Sequence, residues 1–117
     1  MDILEFRAFC LDLKGTEETM PFDDKTLVFK VMGKMFALTS IVEFKSINLK
    51  CDPEKALELR AKHQFVRPGY HMSKKHWNTV DLVPELEESQ LKKWTLDSYN
   101  LVVSGLTKKN QALLESM

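Results

Sequence analysis

Two runs of alternating apolar residues, parted by a glycine, constrain this chain more than anything else in it. Over residues 26–32 (TLVFKVM), Leu27, Phe29 and Val31 fall on one side of an extended chain; over residues 35–41, Phe36 and Leu38 share a side. A period of two belongs to a strand with one buried face. Gly33-Lys34 between the runs reads as a two-residue turn, because glycine takes the positive φ that a tight hairpin needs. An antiparallel hairpin follows, and it needs further strands and a layer of helices to cover its apolar side.

The rest of the chain supplies both. Asp2 and Glu5 are spaced as a capping box, and Ile3, Phe6, Cys10 and Leu13 recur at helical spacing up to Gly15. Residues 17–24 are acidic and interrupted by Met20-Pro21-Phe22, and read as a loop. A third strand is expected over residues 44–50, where Ile47 and Leu49 alternate with Ser46, Asn48 and Lys50. Asp52-Pro53 then opens a helix running to about Lys62, burying Ala56, Leu57 and the stem of Arg60. Residues 65–67 lead through Pro68-Gly69 into Tyr70-His71-Met72 and a basic turn, Ser73-Lys74-Lys75. Residues 76–83 carry the β-formers Trp77, Thr79, Val80 and Val83, and Pro84 ends that strand. The last helix starts near Ser89 on a stripe of Leu91, Trp94, Ser98, Leu101 and Val102; at Gly105 it either continues or breaks. The expected order is α-β(3)-α-β(2)-α, a two-layer α+β domain with one antiparallel sheet covered by helices, occupying residues 1–117 as a single domain. Trp77 and Trp94 are expected to be buried where the layers meet.

Hydrophobic residues at 44% and charged residues at 29% are the balance of a globular chain rather than a disordered one. No apolar run approaches the ~20 residues of a membrane span. The first residues, Met1-Asp2-Ile3-Leu4-Glu5, lack the basic start of a signal peptide. The expectation is a soluble cytoplasmic protein with no membrane partner. Cys10 and Cys51 form no CxxC and read as free thiols of a reducing compartment, although spacing alone does not forbid a disulfide.

Catalytic and metal patterns are missing from the sequence. His63, His71 and His76 raise the question of zinc, but no third ligand stands with the latter two at usable spacing. There is no G-x-S-x-G, no G-x-G-x-x-G and no P-loop, and neither cysteine has a histidine near it in sequence. We expect no metal, no cofactor and no enzyme.

Charge is more informative in its distribution than in its total. Lys plus Arg and Asp plus Glu are equal at 17. Residues 45–76 nevertheless hold eight basic residues against three acids, with all three histidines besides. Such a segment is either a solvated face or a footprint for a polyanion. Residues 70–77 (YHMSKKHW) interleave cations with rings, which suits phosphate contact plus stacking. Equally, Tyr70 and Trp77 can pack inside while the lysines solvate a turn.

Residues 68–80 (PGYHMSKKHWNTV) resemble the signature of the MmcQ/YjbR family. So do Pro21-Phe22 followed by residues 29–37 (FKVMGKMFA), and Asp97-Ser98-Tyr99-Asn100-Leu101-Val102 followed by Leu106-Thr107-Lys108-Lys109. The resemblance covers nearly the whole chain in order. Asp23 departs from it, where relatives often carry glycine. The resemblance implies an α-β(3)-α-β(2)-α fold, brings no catalytic residue or cofactor, and carries a DNA-binding label drawn by analogy to a double-wing arrangement of hairpins. The same type of fold is similar to secretion chaperones.

Two functions then compete. One is a double-stranded-DNA-binding module, with hairpin tips at Gly33-Lys34 and Ser73-Lys74-Lys75 and with Lys30, Arg67, His71 and His76 flanking them. The other is a protein-interaction or adaptor domain using a sheet face or apolar groove, in which the acidic residues 17–24 matter as much. A small-molecule binder or an enzyme without a sequence motif is a third, minor reading.

Overall fold

A computed structural model describes all of residues 1–117. Helix α1 (Ile3–Asp12) begins with the expected capping box: the Glu5 backbone N–H donates to Asp2 Oδ1 at 2.8 Å and the Asp2 N–H to Glu5 Oε1 at 3.2 Å. Strands β1 (Thr16–Thr19), β2 (Thr26–Val31), β3 (Lys34–Ser40) and β4 (Ser46–Lys50) follow. After helix α2 (Pro53–Lys62) come β5 (Val66–Pro68) and β6 (Trp77–Asp81), then α3 (Glu88–Ser104) and α4 (Lys108–Glu115). The strands form one six-stranded sheet in the order β1-β2-β3-β4-β6-β5, and every pairing is antiparallel. This is the α+β fold with a single antiparallel sheet that the sequence implied. No helix is long and apolar enough to cross a membrane.

Two elements exceed the expected order. Part of the acidic loop is strand β1, which pairs with β2 at the sheet edge from Thr16↔Val31 to Thr19↔Val28. It shows no apolar alternation because its side chains are polar: Glu18 is gripped by Arg7 of α1 at 2.5 and 2.6 Å, while the buried Thr16 hydroxyl has no partner. The chain also breaks after Ser104 and restarts as α4, with Thr107 accepting from the Asn110 N–H as its cap.

The central hairpin differs from expectation by one residue. Val31 pairs with Lys34, so the turn is Met32-Gly33, not Gly33-Lys34. Both turn residues have positive φ, 49° and 78°, the requirement of a type I′ hairpin. A β-bulge further down shifts the register: Phe29 pairs with Ala37 and Lys30 with Met35, leaving Phe36 as the extra residue. Phe36 therefore turns toward the helices, beside Phe29 and Tyr99, while Leu38 faces the other way, and the two do not share a side. The Ser98 hydroxyl of α3 donates to the Phe36 carbonyl at 2.6 Å and accepts from the Lys50 N–H at 2.9 Å, occupying backbone groups at the bulge that the ladder leaves over.

The helices pack on one face of the sheet, Phe6 of α1 joining Phe29, Phe36, Ile47, Leu49 and Val80 of the strands. Within α2, Ala56 is buried as expected but Leu57 is exposed. Trp94 is only partly buried, against His63 and Phe65 with ring centroids 5.3 and 6.3 Å away. Trp77 is buried but not where the layers meet. It pairs with Lys50, one position out of phase with the helix-facing Leu49–Asn78 pair. It therefore joins Val28 and Leu38 in a separate cluster on the opposite face, covered partly by Met35 and Met72.

Candidate nucleic-acid interface

Strand direction decides which loops are neighbours. In this antiparallel order the Met32-Gly33 turn, the end of β4 and the β5–β6 connection all leave the same end of the sheet. Lys34 is the first residue of β3 and is exposed there. Lys30 and Lys50 lie close behind it, paired with Met35 and Trp77 on the face away from the helices.

The β5–β6 connection, residues 69–76, is built rather than loose. The Gly69 N–H donates to the Trp77 carbonyl at 2.8 Å, and a Cβ on Gly69 would stand 2.7 Å from Trp77 Cβ, so only glycine fits. The Tyr70 N–H donates to Thr79 Oγ1 at 2.9 Å, and Thr79 in turn donates to Asn48 Oδ1 at 2.5 Å. Asn48 Nδ2 closes the ring onto the Tyr70 carbonyl at 3.4 Å. Met72 folds inward onto the Val28–Leu38–Trp77 cluster. His71 sits at φ 58°, with its ring 4.0 Å from that of exposed Tyr70.

Arg60 of α2 anchors the same loop from the other face. Its Nε donates to Asn78 Oδ1 at 2.6 Å, and its Nη2 donates to the Trp77 carbonyl at 3.2 Å and to the Lys74 carbonyl. What remains outside is Lys74, Lys75 and His76, all exposed. Lys74 Nζ meets only the Gly69 carbonyl, at 3.4 Å. None of Lys30, Lys34, Lys50, Lys74 and Lys75 takes part in a salt bridge.

Arg67 stands apart from these cations. It binds Asp81 across the β5–β6 pair through two parallel bonds, Nε to Oδ2 at 2.9 Å and Nη2 to Oδ1 at 2.7 Å. That pairing raises its pKa further and neutralises its charge locally. Of the residues singled out in the sequence, the fold gathers Lys34, Lys74, Lys75, His71 and His76 at one end, sets Lys30 on the adjoining face, and commits Arg67 to a carboxylate. The sequence reading missed Arg60, Asn48 and Thr79 as the residues that shape the loop. An asparagine in the middle of a strand, where its type is depleted, was the available signal.

The opposite end of the sheet carries exposed charges of both signs, Asp23, Asp24 and Glu43 with Lys25 and Lys45, and Lys45 Nζ stands 3.8 Å from Glu43 Oε2. Loops 20–25 and 41–45 meet there through the Ile41 N–H and the Lys25 carbonyl at 2.8 Å. Asp23, the departure from the family pattern, accepts from the Lys25 and Thr26 N–H groups at 2.8 and 2.7 Å, and these bonds hold its carboxyl below the ordinary range. Met20, Phe22, Ile41 and Val42 are exposed beside Asp23, Asp24 and Glu43. Elsewhere, no group of three or more His, Cys, Asp or Glu side chains stands together as a metal site would need. Both cysteines are free, and burial raises their thiol pKa values, most strongly at Cys10.

The YjbR family model matches residues 11–101. The protein YbdF of Escherichia coli O157:H7 is 42% identical over 106 residues, covering 90% of this chain and 87% of its own length. The protein YjbR of Escherichia coli K12 is 36% identical over 115 residues, covering 97% and 98%. The crystal structure of the Deinococcus radiodurans protein DR2400, of domain family DUF419, is similar with a TM-score of 0.89 and 42% identity, over 97% of this chain and 87% of that one. A crystal structure from Pseudomonas syringae gives a TM-score of 0.71 at 28% identity, over 86% and 98%.

Proposed function

This chain belongs to the YjbR family, and on that premise we propose that it binds double-stranded DNA, without catalysis, through phosphate contacts from the basic end of its sheet. The observation that carries this reading is the convergence of unpaired cations from two separate hairpins on one end of the fold. The β2–β3 turn and the β5–β6 connection are three strand spacings apart, about 14 Å, comparable with the ~12 Å width of the DNA major groove. Lys34 on one and Lys74 and Lys75 on the other can meet phosphates across that groove, while Tyr70 and His71 offer rings beside them. Contacts of this kind give affinity with little sequence information. A net charge of zero is compatible with this, because the contacts come from the cations gathered at one end and not from the total. The same reading places the protein in the cytoplasm, with free thiols and access to DNA.

Anisotropy of labelled duplexes of unrelated sequence, measured across a salt series, tests it. Binding should be similar for all duplexes and weaken linearly in log salt. One observation favours a second reading, a protein-interaction domain: the exposed Met20, Phe22, Ile41 and Val42 at the opposite end form an apolar margin that DNA would not use. If no duplex binds at low salt and micromolar protein, that reading replaces the first.

A further inference from the structure

Between α2 and α3 a cleft opens above the sheet. α2 lies over β5 and β6, and α3 over β2, β3 and β4, so the strip where β4 meets β6 floors a cleft. The cleft holds a cavity of about 190 Å³, with Leu49, Asn78 and Val80 beneath it, Leu59 of α2 on one side, and Trp94 and Leu101 of α3 on the other. An apolar cavity of roughly 150 Å³ is enough to take up benzene; this cleft, open to solvent on one side and lined also by Lys50, Asp52, Lys55 and Asp97, has room for a one- or two-ring molecule.

The chemistry of the floor narrows the choice. Asn78 is 2% exposed, the one polar residue lining the cavity that is buried outright. A guanidinium only donates, so the amide atom facing Arg60 Nε at 2.6 Å is the oxygen. The amide nitrogen then has two hydrogens and a single protein partner, the Ala56 carbonyl, at a long 3.4 Å. That bond lies beyond the usual range of an N–H···O bond, about 2.7–3.2 Å, so the amide group has donor capacity left for a ligand acceptor. Accepting from a cation at Oδ1 also polarises the amide and strengthens the donors at its other end. The flat Trp94 ring, only partly buried, forms a wall suited to stacking.

We propose that this cleft binds a small aromatic molecule carrying an oxygen acceptor, its ring held between Trp94 and the leucine and valine side chains, its oxygen accepting from Asn78 Nδ2. The proposal does not rest on the DNA reading, although Asn78 shares Arg60 with the loop that carries Lys74. Acetophenone and α-methylstyrene are matched probes, alike in shape, with the oxygen only in the first. Titrated into the wild-type protein with isotope-labelled methyl groups, acetophenone should shift the Leu49, Leu59, Val80 and Leu101 resonances saturably. Val28 and Leu38, on the opposite face, should not move. Acetophenone should bind about tenfold more tightly than α-methylstyrene, the effect of one hydrogen bond to a buried donor. Leu59→Trp, which fills the cleft, should abolish the shifts. Absence of saturable shifts in the wild-type cleft, or equal shifts at Val28 and Leu38, overturns the site. Equal affinity for the two probes overturns the acceptor assignment and the proposal with it.

Discussion

Arg60 does more for the basic end than any lysine in it, because it fixes where two of them stand. One guanidinium ties the Asn78 amide, the Trp77 carbonyl and the Lys74 carbonyl together. Arg60→Met keeps the apolar stem and removes those bonds, leaving a buried amide oxygen without its donor. Hydrogen bonds to charged groups contribute about 1.5–3 kcal/mol net, so urea unfolding should show a loss of about 2–3 kcal/mol. Amide exchange should quicken in residues 69–76 before the rest of the sheet. A loss within ~0.5 kcal/mol would mean that the loop holds itself. In the sequence Arg60 reads only as a helix residue with a burying stem, since its partners lie 14 to 18 positions away and only the folded sheet brings them close. Two carboxylates carry the pH dependence at this scale. Glu18 is held below its ordinary pKa chiefly by its hydrogen bond from Arg7, and Asp23 by the Lys25 and Thr26 N–H groups. A depressed carboxyl contributes stability that is fully present above its unfolded pKa, near 4, and is lost as pH falls through the folded value. Stability should therefore decline below about pH 4, and the double variant Glu18→Gln, Asp23→Asn should decline less steeply there than wild type. Parallel curves would assign the acid sensitivity elsewhere.

At the scale of elements, the sequence was legible wherever one side of a strand or helix is apolar. The alternation through Leu27, Phe29 and Val31, the cap at Asp2 and the Asp52-Pro53 start all appear where their spacing puts them. It was illegible where pairing rests on the backbone. Strand β1 is Thr-Glu-Glu-Thr, held by its ladder to β2 and one ion pair, and nothing in that composition signals a strand. The bulge at Phe36 was hidden for a similar reason: an extra residue leaves the apolar pattern intact and merely turns it. Glycines show the same division. Gly33 has φ 78° and open space around it, whereas Gly69 has its Cβ direction blocked by Trp77 backbone and Cβ atoms. Gly33→Ala should thus cost only the left-handed strain, about 1–2 kcal/mol. Gly69→Ala must displace β6 itself and should cost more, of order 3 kcal/mol or above. Thermal denaturation of the two variants side by side checks the order, and a larger loss for Gly33→Ala would contradict the packing at Gly69.

Over the whole molecule, the decisive property is a polarity that no linear charge count contains. The basic stretch of residues 45–76 is broken up by the fold: Lys55 pairs with Glu58 and Arg67 with Asp81. Lys34, from outside that stretch, is brought to the same end as Lys74 and Lys75. Asp23, Asp24 and Glu43 lie at the other end beside Lys25 and Lys45, the last paired with Glu43. The sequence thus named most of the cations at the candidate interface, through their setting among rings, but not which were already neutralised, because ion pairing across β5 and β6 depends on register. The most direct test is the salt dependence of duplex affinity for the wild type, Lys74→Gln with Lys75→Gln, and Asp23→Asn with Asp24→Asn. The lysine variant should keep its melting temperature, since exposed turn residues typically alter stability by less than ~0.5 kcal/mol. It should bind unrelated duplexes uniformly more weakly, with the log–log slope reduced by about 0.9 for each phosphate that is no longer neutralised. The aspartate variant should bind as well as wild type or better. Unchanged affinity and slope in the lysine variant, or no binding by the wild type at low salt, would contradict the basic end as a DNA-binding surface.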